Sequence, residues 1–301
     1  GSHYYKTPLF LYYLIVMKTR RNIRTGRRTR KNKSGTPSRE IICKMRTASN
    51  KYQIGTSGFM VSQAQWLDMK CLNCIEINGT FYSLPSEKTI EKWGSFPSHV
   101  GIVIKASKYI THIKRLKDVK PAWELLWKQI APLGDRLHCV LFQLPPSFSY
   151  KDENIQRIID MKKYMPKNLR VAFEFRNSGW FNDDTYKAFK SLKWCVAGTY
   201  IQKKTGTSWM GTMPGGLNLP PSTTNFTYLR IHGARGYKGS LSEDKLQEIK
   251  QALKKQNGHK TFVMFNNTFF DPRSKFCTIN EKKVKYAAVC NAVEFTNLIT
   301  P

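Results

Sequence analysis

Two carboxylates, Glu76 and Glu174, a histidine, His232, and a lysine, Lys105, each sit in a short run where apolar and polar residues alternate. Those four types can run proton-transfer or covalent chemistry: Glu76 or Glu174 as general base, His232 as acid or base, and Lys105 as electrophile or nucleophile. Arg176 and Arg230 join Lys105 as nearby cations, and an anionic small molecule or a nucleotide phosphate is the ligand such a set suits. Ser57, Asn78, Thr80, His112, Gln143 and Asn266 supply neutral polar groups of the kind that orient a substrate. The glycine-bearing stretch Gly233–Gly239 could cradle a phosphate on backbone N–H groups or be a plain turn. A structural alternative pairs Glu174 with Arg176 and Glu76 with Lys105 as salt bridges. Oxygen and nitrogen donors are present, but three cations beside them oppose a divalent ion, so neither a metal nor a cofactor is expected.

These residues need a scaffold that gathers them. From Gln53 onward, eight short β-rich runs alternate with amphipathic stretches: Gln53–Ser57, Ile75–Thr80, Ile102–Ser107, Cys139–Leu144, Val171–Arg176, Trp194–Thr199, Thr227–His232 and Phe262–Asn266. That alternation predicts an α/β fold, a single eight-stranded parallel β/α barrel over residues 52–301. Successive side chains of a strand face opposite ways. Ile75 and Ile77 therefore oppose Glu76, Asn78 and Thr80. In the same manner Phe173 and Phe175 oppose Glu174 and Arg176, and Leu229 and Ile231 oppose Arg230 and His232. The polar set points into the lumen near the C-terminal strand ends, where barrel enzymes build their sites. Ser62 with Gln65 predicts a helix start, Lys120–Ile130 and Asn154–Met165 have helical periods, and Gly258 is placed to stop the helix that Ser242 begins. The long stretch from Lys203 to Asn225 reads as a lid over the mouth or as a passive surface loop.

Composition sets the outer bounds. A 41% hydrophobic and 13% aromatic content excludes wholesale disorder. Lys and Arg number 50 against 20 Asp and Glu, a formal net charge of +30, which favours nucleic acid or another polyanion as partner. Gly1-Ser2-His3 resembles an expression-tag remnant. The basic run that includes Arg20, Arg21, Arg24, Arg27, Arg28, Arg30, Lys31 and Lys33 has few apolar neighbours, so residues 1–51 read as that remnant plus a disordered polybasic arm. Such an arm could tether nucleic acid, serve as a targeting signal or act as a linker. Pro8–Met17 is too short to span a membrane, and its charges follow it, which argues against secretion. Seven scattered cysteines suggest reduced thiols and an intracellular, cytoplasmic or nuclear setting, with the Cys71/Cys74 pair a packed one.

Several of the runs also read as motifs: IGTSGF at Ile54, EINGTFYSLPS at Glu76, VIKASKYITHIKRLKD at Val103, VLFQLPPSF at Val140, AFEFRNSGWF at Ala172, YLRIHG at Tyr228, MFNN at Met264 and the Asn291-Ala292 pair. With them the chain resembles the YecE-like family, domain of unknown function 72, from about Gln53 to the end. The resemblance implies a β/α barrel and a ring of lumen residues, and assigns no reaction. Two departures stand out. The family's aromatic stretch after the first strand is replaced by Phe59-Met60-Val61, and its Asp at the end of the sixth strand is absent from Val196-Ala197-Gly198-Thr199. The first implies a shortened wall at the mouth, and the second an altered or lost activity. The function expected is an enzyme acting on a phosphorylated or other anionic substrate; the alternative is a catalytically silent nucleic-acid binder.

Overall fold

The computed structural model describes residues 39–44, 51–202, 210–233, 239–256, 258–268 and 276–300. Most of the basic arm and the interior of the Gly233–Gly239 loop lie outside them, as do residues 203–209 of the long loop.

The alternating runs become strands because they are buried on both sides, which selects β-branched and aromatic residues and a parallel arrangement. The strands are β1 (Arg39–Ile41), β2 (Tyr52–Ser57), β3 (Cys74–Ile77), β4 (Gly101–Lys105), β5 (Leu137–Gln143), β6 (Val171–Glu174), β7 (Cys195–Val196), β8 (Gly198–Ile201), β9 (Gly216–Asn218), β10 (Phe226–His232), β11 (Lys260–Phe265), β12 (Cys277–Ile279) and β13 (Lys282–Val284). Ten of them form one curled, mostly parallel sheet in the order β7-β6-β5-β4-β3-β2-β11-β10-β8-β9. Its single antiparallel pairing is that of β8 with β9. The strand expected at Trp194–Thr199 is broken at Ala197 into β7, which pairs with β6, and β8, which pairs with β10. Strand β9 falls within the stretch read as a lid or loop, so part of that stretch extends the sheet instead.

Helices α1 (Gln63–Asp68), α2 (Glu87–Gly94), α3 (Lys120–Ile130), α4 (Asp152–Met161), α5 (Asp183–Leu192), α6 (Glu243–Lys254) and α7 (Ala287–Ile299) occupy the connections. Ser62 caps α1 by accepting a bond from the Gln65 N–H at 3.1 Å. Chain reversal comes earlier than Gly258 predicts: α6 ends at Lys254 with Lys255 as its C-cap. Helix α7 is buried from Ala287 through Thr296, which accounts for its nearly continuous apolar sequence.

Side-chain parity sorts the sheet into two cores. One face of the strands, including Ile54, Ile75, Ile102, Phe142, Phe173, Leu229 and Val263, packs against the helices. The other face encloses a separate cluster containing Cys74, Val103, Cys139, Leu141, Ala172, Cys195, Tyr228, Phe262 and Met264. Glu76, Lys105, Gln143, Glu174, Arg230 and His232 continue this second face toward the C-terminal strand ends.

The cysteine expectation is corrected. Cys43 is bonded to Cys71, and Cys277 to Cys290, leaving Cys74, Cys139 and Cys195 as free, buried thiols. The pairing joins partners 28 and 13 residues apart that no local motif links, and it removes the thiol argument for a reducing compartment. The arm boundary moves as well. Strand β1 pairs in parallel with β12, within a small sheet completed by β13, so Arg39–Ile41 belong to the fold and not to a free arm. Among the described residues no helix is long and apolar enough to cross a membrane.

Candidate active site

Arg230 stands on the second face of the sheet, 1% exposed, and its guanidinium fork is fully engaged. Its Nε and Nη2 donate to the two oxygens of Glu76 at 3.0 and 2.7 Å, and its Nη1 donates to Glu174 Oε2 at 2.5 Å. Nη2 also reaches Ser57 Oγ at 3.3 Å. Glu76 accepts a further bond from the Tyr228 hydroxyl at 2.7 Å, and Glu174 pairs with Arg176 Nη2 at 2.6 Å. These contacts follow from register, since Ser57 faces Glu76 across β2/β3 and Gln143 faces Glu174 across β5/β6.

The electrostatics follow from these pairings. Burial alone would raise the Glu174 carboxyl, but the Arg176 and Arg230 guanidiniums hold it well below the ordinary carboxylate range. Arg230 would lose its proton more readily on burial, yet Glu174 and Glu76 raise it instead. Burial pushes His232 down to about 4, assisted by Arg176, although Glu174 opposes the shift. His232 is therefore neutral at pH 7. Its Nε2–H donates to Glu174 Oε1 at 3.2 Å, and Nδ1 accepts from the Asn266 amide at 3.4 Å.

Lys105 differs from every other charged group here. Its ammonium lies 4.1 Å from the centre of the Phe81 ring and has no carboxylate partner among the described residues. The ring is put there by the turn Gly79–Phe81, which Thr80 ties to the end of β4 through a 2.7 Å hydrogen bond to the Lys105 carbonyl. Burial, then the Arg230 charge, lowers the Lys105 ammonium to about 7, against the pull of Glu76 and Glu174.

A cavity of about 270 Å³ opens over this group, lined by Ser57, Asn78, Lys105, Gln143, Arg176, Arg230 and Asn266, with Phe81 and Tyr82 at its side. Asn78 Oδ1 is buried in it without a hydrogen-bond partner. Of the residues singled out in the sequence, Glu76, Glu174 and His232 lie beneath the cavity, bonded to its lining. Thr80 is buried in the turn and serves to position Phe81. His112 stands behind Phe81, edge to face at 5.0 Å, with its ring nitrogen 2.9 Å from Thr111 Oγ1. Burial and the nearby Lys105 push His112 down to about 4.

Three expectations are corrected. Glu76 pairs with Arg230 and not with Lys105. The two carboxylates are counter-ions of a buried cage, which leaves neither as a free general base. Arg230, expected among the cations suited to an anionic ligand, has its fork filled by Glu76 and Glu174. Phe81 and Tyr228 were missed. Tyr228 shares the parity of Arg230 and His232, so the alternation contains its signal, whereas the placement of Phe81 depends on a turn that no periodicity reveals. Met210 is also close: Arg176 Nη1 contacts its sulfur at 2.6 Å, and Gly211 is needed there, since a Cβ would come within 2.0 Å of the Arg176 carbonyl oxygen. Among the described residues no cluster of His, Cys, Asp and Glu could hold a metal ion.

Comparison with known proteins agrees with the motifs. Residues 61–275 match the family model described as "Protein of unknown function DUF72". The chain is similar to the UPF0759 protein YunF of Bacillus subtilis (strain 168), with 25% identity over 219 residues, or 64% of this chain and 76% of that protein. In structure it is similar to a DUF72 family protein of Thermotoga maritima, with a TM-score of 0.64 and 24% identity, covering 83% of this chain and 100% of the other. A DUF72 family protein of Enterococcus faecalis matches with a TM-score of 0.65 and 16% identity over 83% of this chain and 97% of the other. Both structural likenesses concern the fold.

Proposed function

The chain belongs to the DUF72 family, which carries no assigned reaction, and on the geometry of its own residues we propose that it is an enzyme taking a small anionic substrate at the mouth cavity, with Lys105 as the reactive group. The observation that carries this reading is the solitary lysine. Two buried carboxylates and two buried guanidiniums balance one another, and a fifth ionisable group is held beside them without a partner. Burying charge without use is costly, and a lysine in such a setting is suited to act as nucleophile or base at neutral pH. When protonated, Lys105 leaves the cage with a net positive charge, which favours an anion. Asn78, Gln143, Arg176 and Asn266 offer the polar contacts that would orient it.

The scaffold we infer is the eight-stranded barrel, in which β7, Ala197 and β8 act as one strand and join the two ends of the curled sheet. In support of it, the Ala197 N–H bonds to the Phe173 carbonyl at 2.8 Å, while β8 continues the ladder on β10. Cavity and cage would then lie at the C-terminal mouth.

Calorimetric titration of inorganic phosphate, a nucleoside monophosphate and a 2-oxo acid into the full chain tests the function. Binding by wild type that weakens about tenfold or more in Lys105→Met, the loss of one charge-assisted contact, supports it. Equal binding by both proteins, or none at millimolar concentration, counts against it. The charge excess favours a second reading, a silent nucleic-acid binder. In that case nucleic acid would bind in a strongly salt-dependent way while Lys105→Met changed nothing.

A further inference from the structure

Among the described residues that line the mouth cavity Lys105 is the one amine, and its surroundings narrow the chemistry open to it. No histidine, cysteine or serine in the cavity lining stands with a base that could activate it: Ser57 Oγ accepts from Arg230, and the three free cysteines are buried. Burial pushes the thiol of Cys195 up to about 12 and raises those of Cys74 and Cys139 as well. Glu76 and Glu174 are both bonded to Arg230. Lys105 has its nitrogen against an aromatic face and a cavity wall, with no carboxylate among the described residues to hold it as an ammonium. A lysine that is kept from carboxylates by a neutral cage, yet faces a cavity too small for a drug-sized ligand, is placed to add to a small electrophile.

We propose that Lys105 forms a Schiff base with a small aldehyde or ketone that carries a carboxylate or a phosphate, an inference that rests on the cavity being the active site. The amine of Lys105 adds to the carbonyl carbon, so that a C–N bond forms and the carbonyl π pair becomes an alkoxide. A proton from the new ammonium centre converts it to a hydroxyl, giving a carbinolamine. The hydroxyl then takes up a second proton from solvent water in the open cavity and leaves as water while the nitrogen lone pair forms the C=N bond. The product is a protonated imine, and no oxidant or reductant is consumed. The amide oxygen of Asn78, buried in the cavity without a partner, is a ready acceptor for the carbinolamine hydroxyl. A protonated imine adds a positive charge beside a cage whose own charges cancel, which is why the substrate's anionic group belongs to the proposal. Burial lowers Lys105 to about 7, so at neutral pH its free amine is populated roughly a thousandfold more than that of a surface lysine.

Borohydride reduction tests the inference on the full chain. The protein is incubated at pH 7 with pyruvate, with dihydroxyacetone phosphate or with acetone, each with borohydride, and the adducts are located by peptide mass spectrometry. The expected result is a reduced adduct on the Lys105 peptide from at least one anionic probe, enriched about tenfold or more over any surface lysine, as the difference in free amine allows. Acetone should give much less, and whichever anionic probe reacts identifies carboxylate or phosphate as the preferred group. Lys105→Arg should lose the adduct while keeping its melting temperature. Should that variant misfold, the site of labelling in wild type still decides the matter. Label spread over surface lysines, or no label at Lys105 from either anionic probe, overturns the proposal. If calorimetry still shows phosphate or pyruvate bound in the cavity, Schiff-base chemistry alone falls; without such binding, the active-site reading falls too.

Discussion

Arg230 holds two buried carboxylates apart, and the consequences of losing it are asymmetric. Arg230→Ala leaves Glu76 and Glu174 facing each other across an emptied centre, and stability should fall by about 3–5 kcal/mol in denaturant unfolding. Arg230→Lys keeps the charge but cannot make the bidentate bond to Glu76 and reach Glu174 together, so it too should destabilise, though by less. An Arg230→Lys protein as stable as wild type would mean that the fork is not structural. His232 gives a pH dependence. It is held near 4 in the folded chain, against about 6.5 when unfolded. Between those values the unfolded chain binds a proton that the folded one refuses, so stability falls as pH drops from about 6.5 to 4 and levels off below. The slope is at most about 1.4 kcal/mol per pH unit for each such histidine. His112 and His138 are also held near 4 and add to it. Unfolding of His232→Gln from pH 7 to 4 should show a shallower decline, and an unchanged slope would remove His232 from the account. Much of this cage was legible. Glu76, Glu174, Arg230 and His232 follow from strand parity alone, because period two leaves only two faces to choose from. Who pairs with whom was not legible. Glu76 and Lys105 look like partners on adjacent strands, yet the longer Arg230 reaches from β10 and takes both carboxylates.

At the scale of elements, seven of the eight expected strands appear within a few residues of their predicted limits, and the eighth appears in two parts. The misses have one cause. Strands β1, β9, β12 and β13 have three residues each, too short for alternation to register. Two disulfides also escaped, because Cys43 and Cys71 are brought together by the fold and by no spacing rule. Thiol titration checks them directly. The native chain should show no rapidly reacting thiol, the denatured chain without reductant three, and the denatured, reduced chain all seven. Seven thiols without reductant would show that Cys43–Cys71 and Cys277–Cys290 do not form. Breaking the Cys43–Cys71 link with Cys43→Ala should cost about 3–4 kcal/mol, the loop-closure value for its 28-residue separation.

For the whole molecule, the charge of +30 and the position of β1 together set where the chain can be cut. Removing residues 1–37 spares β1 and Cys43, and the melting temperature should hardly move. Removing residues 1–50 deletes both and leaves Cys71 unpaired, so the melting temperature should drop clearly. Either cut removes the densest cationic run. Binding to a random DNA duplex should then weaken, with a shallower dependence of log K on log salt, because fewer counterions are released. An unchanged salt slope in both truncations would place the polyanion contact elsewhere, on the remaining basic surface. The cavity lining belongs to residues 57–268, which both truncations leave in place.

The central claim is that Lys105 is a partnerless amine at the mouth of the site, and its protonation can be read directly. Heteronuclear NMR of lysine labelled at Cε and Nζ, followed from pH 5 to 11 with Lys105→Arg for assignment, gives its titration apart from the other lysines. The account predicts a midpoint near 7 that moves upward when phosphate occupies the cavity. A midpoint near the ordinary lysine value of about 10.4, unmoved by phosphate, would contradict it.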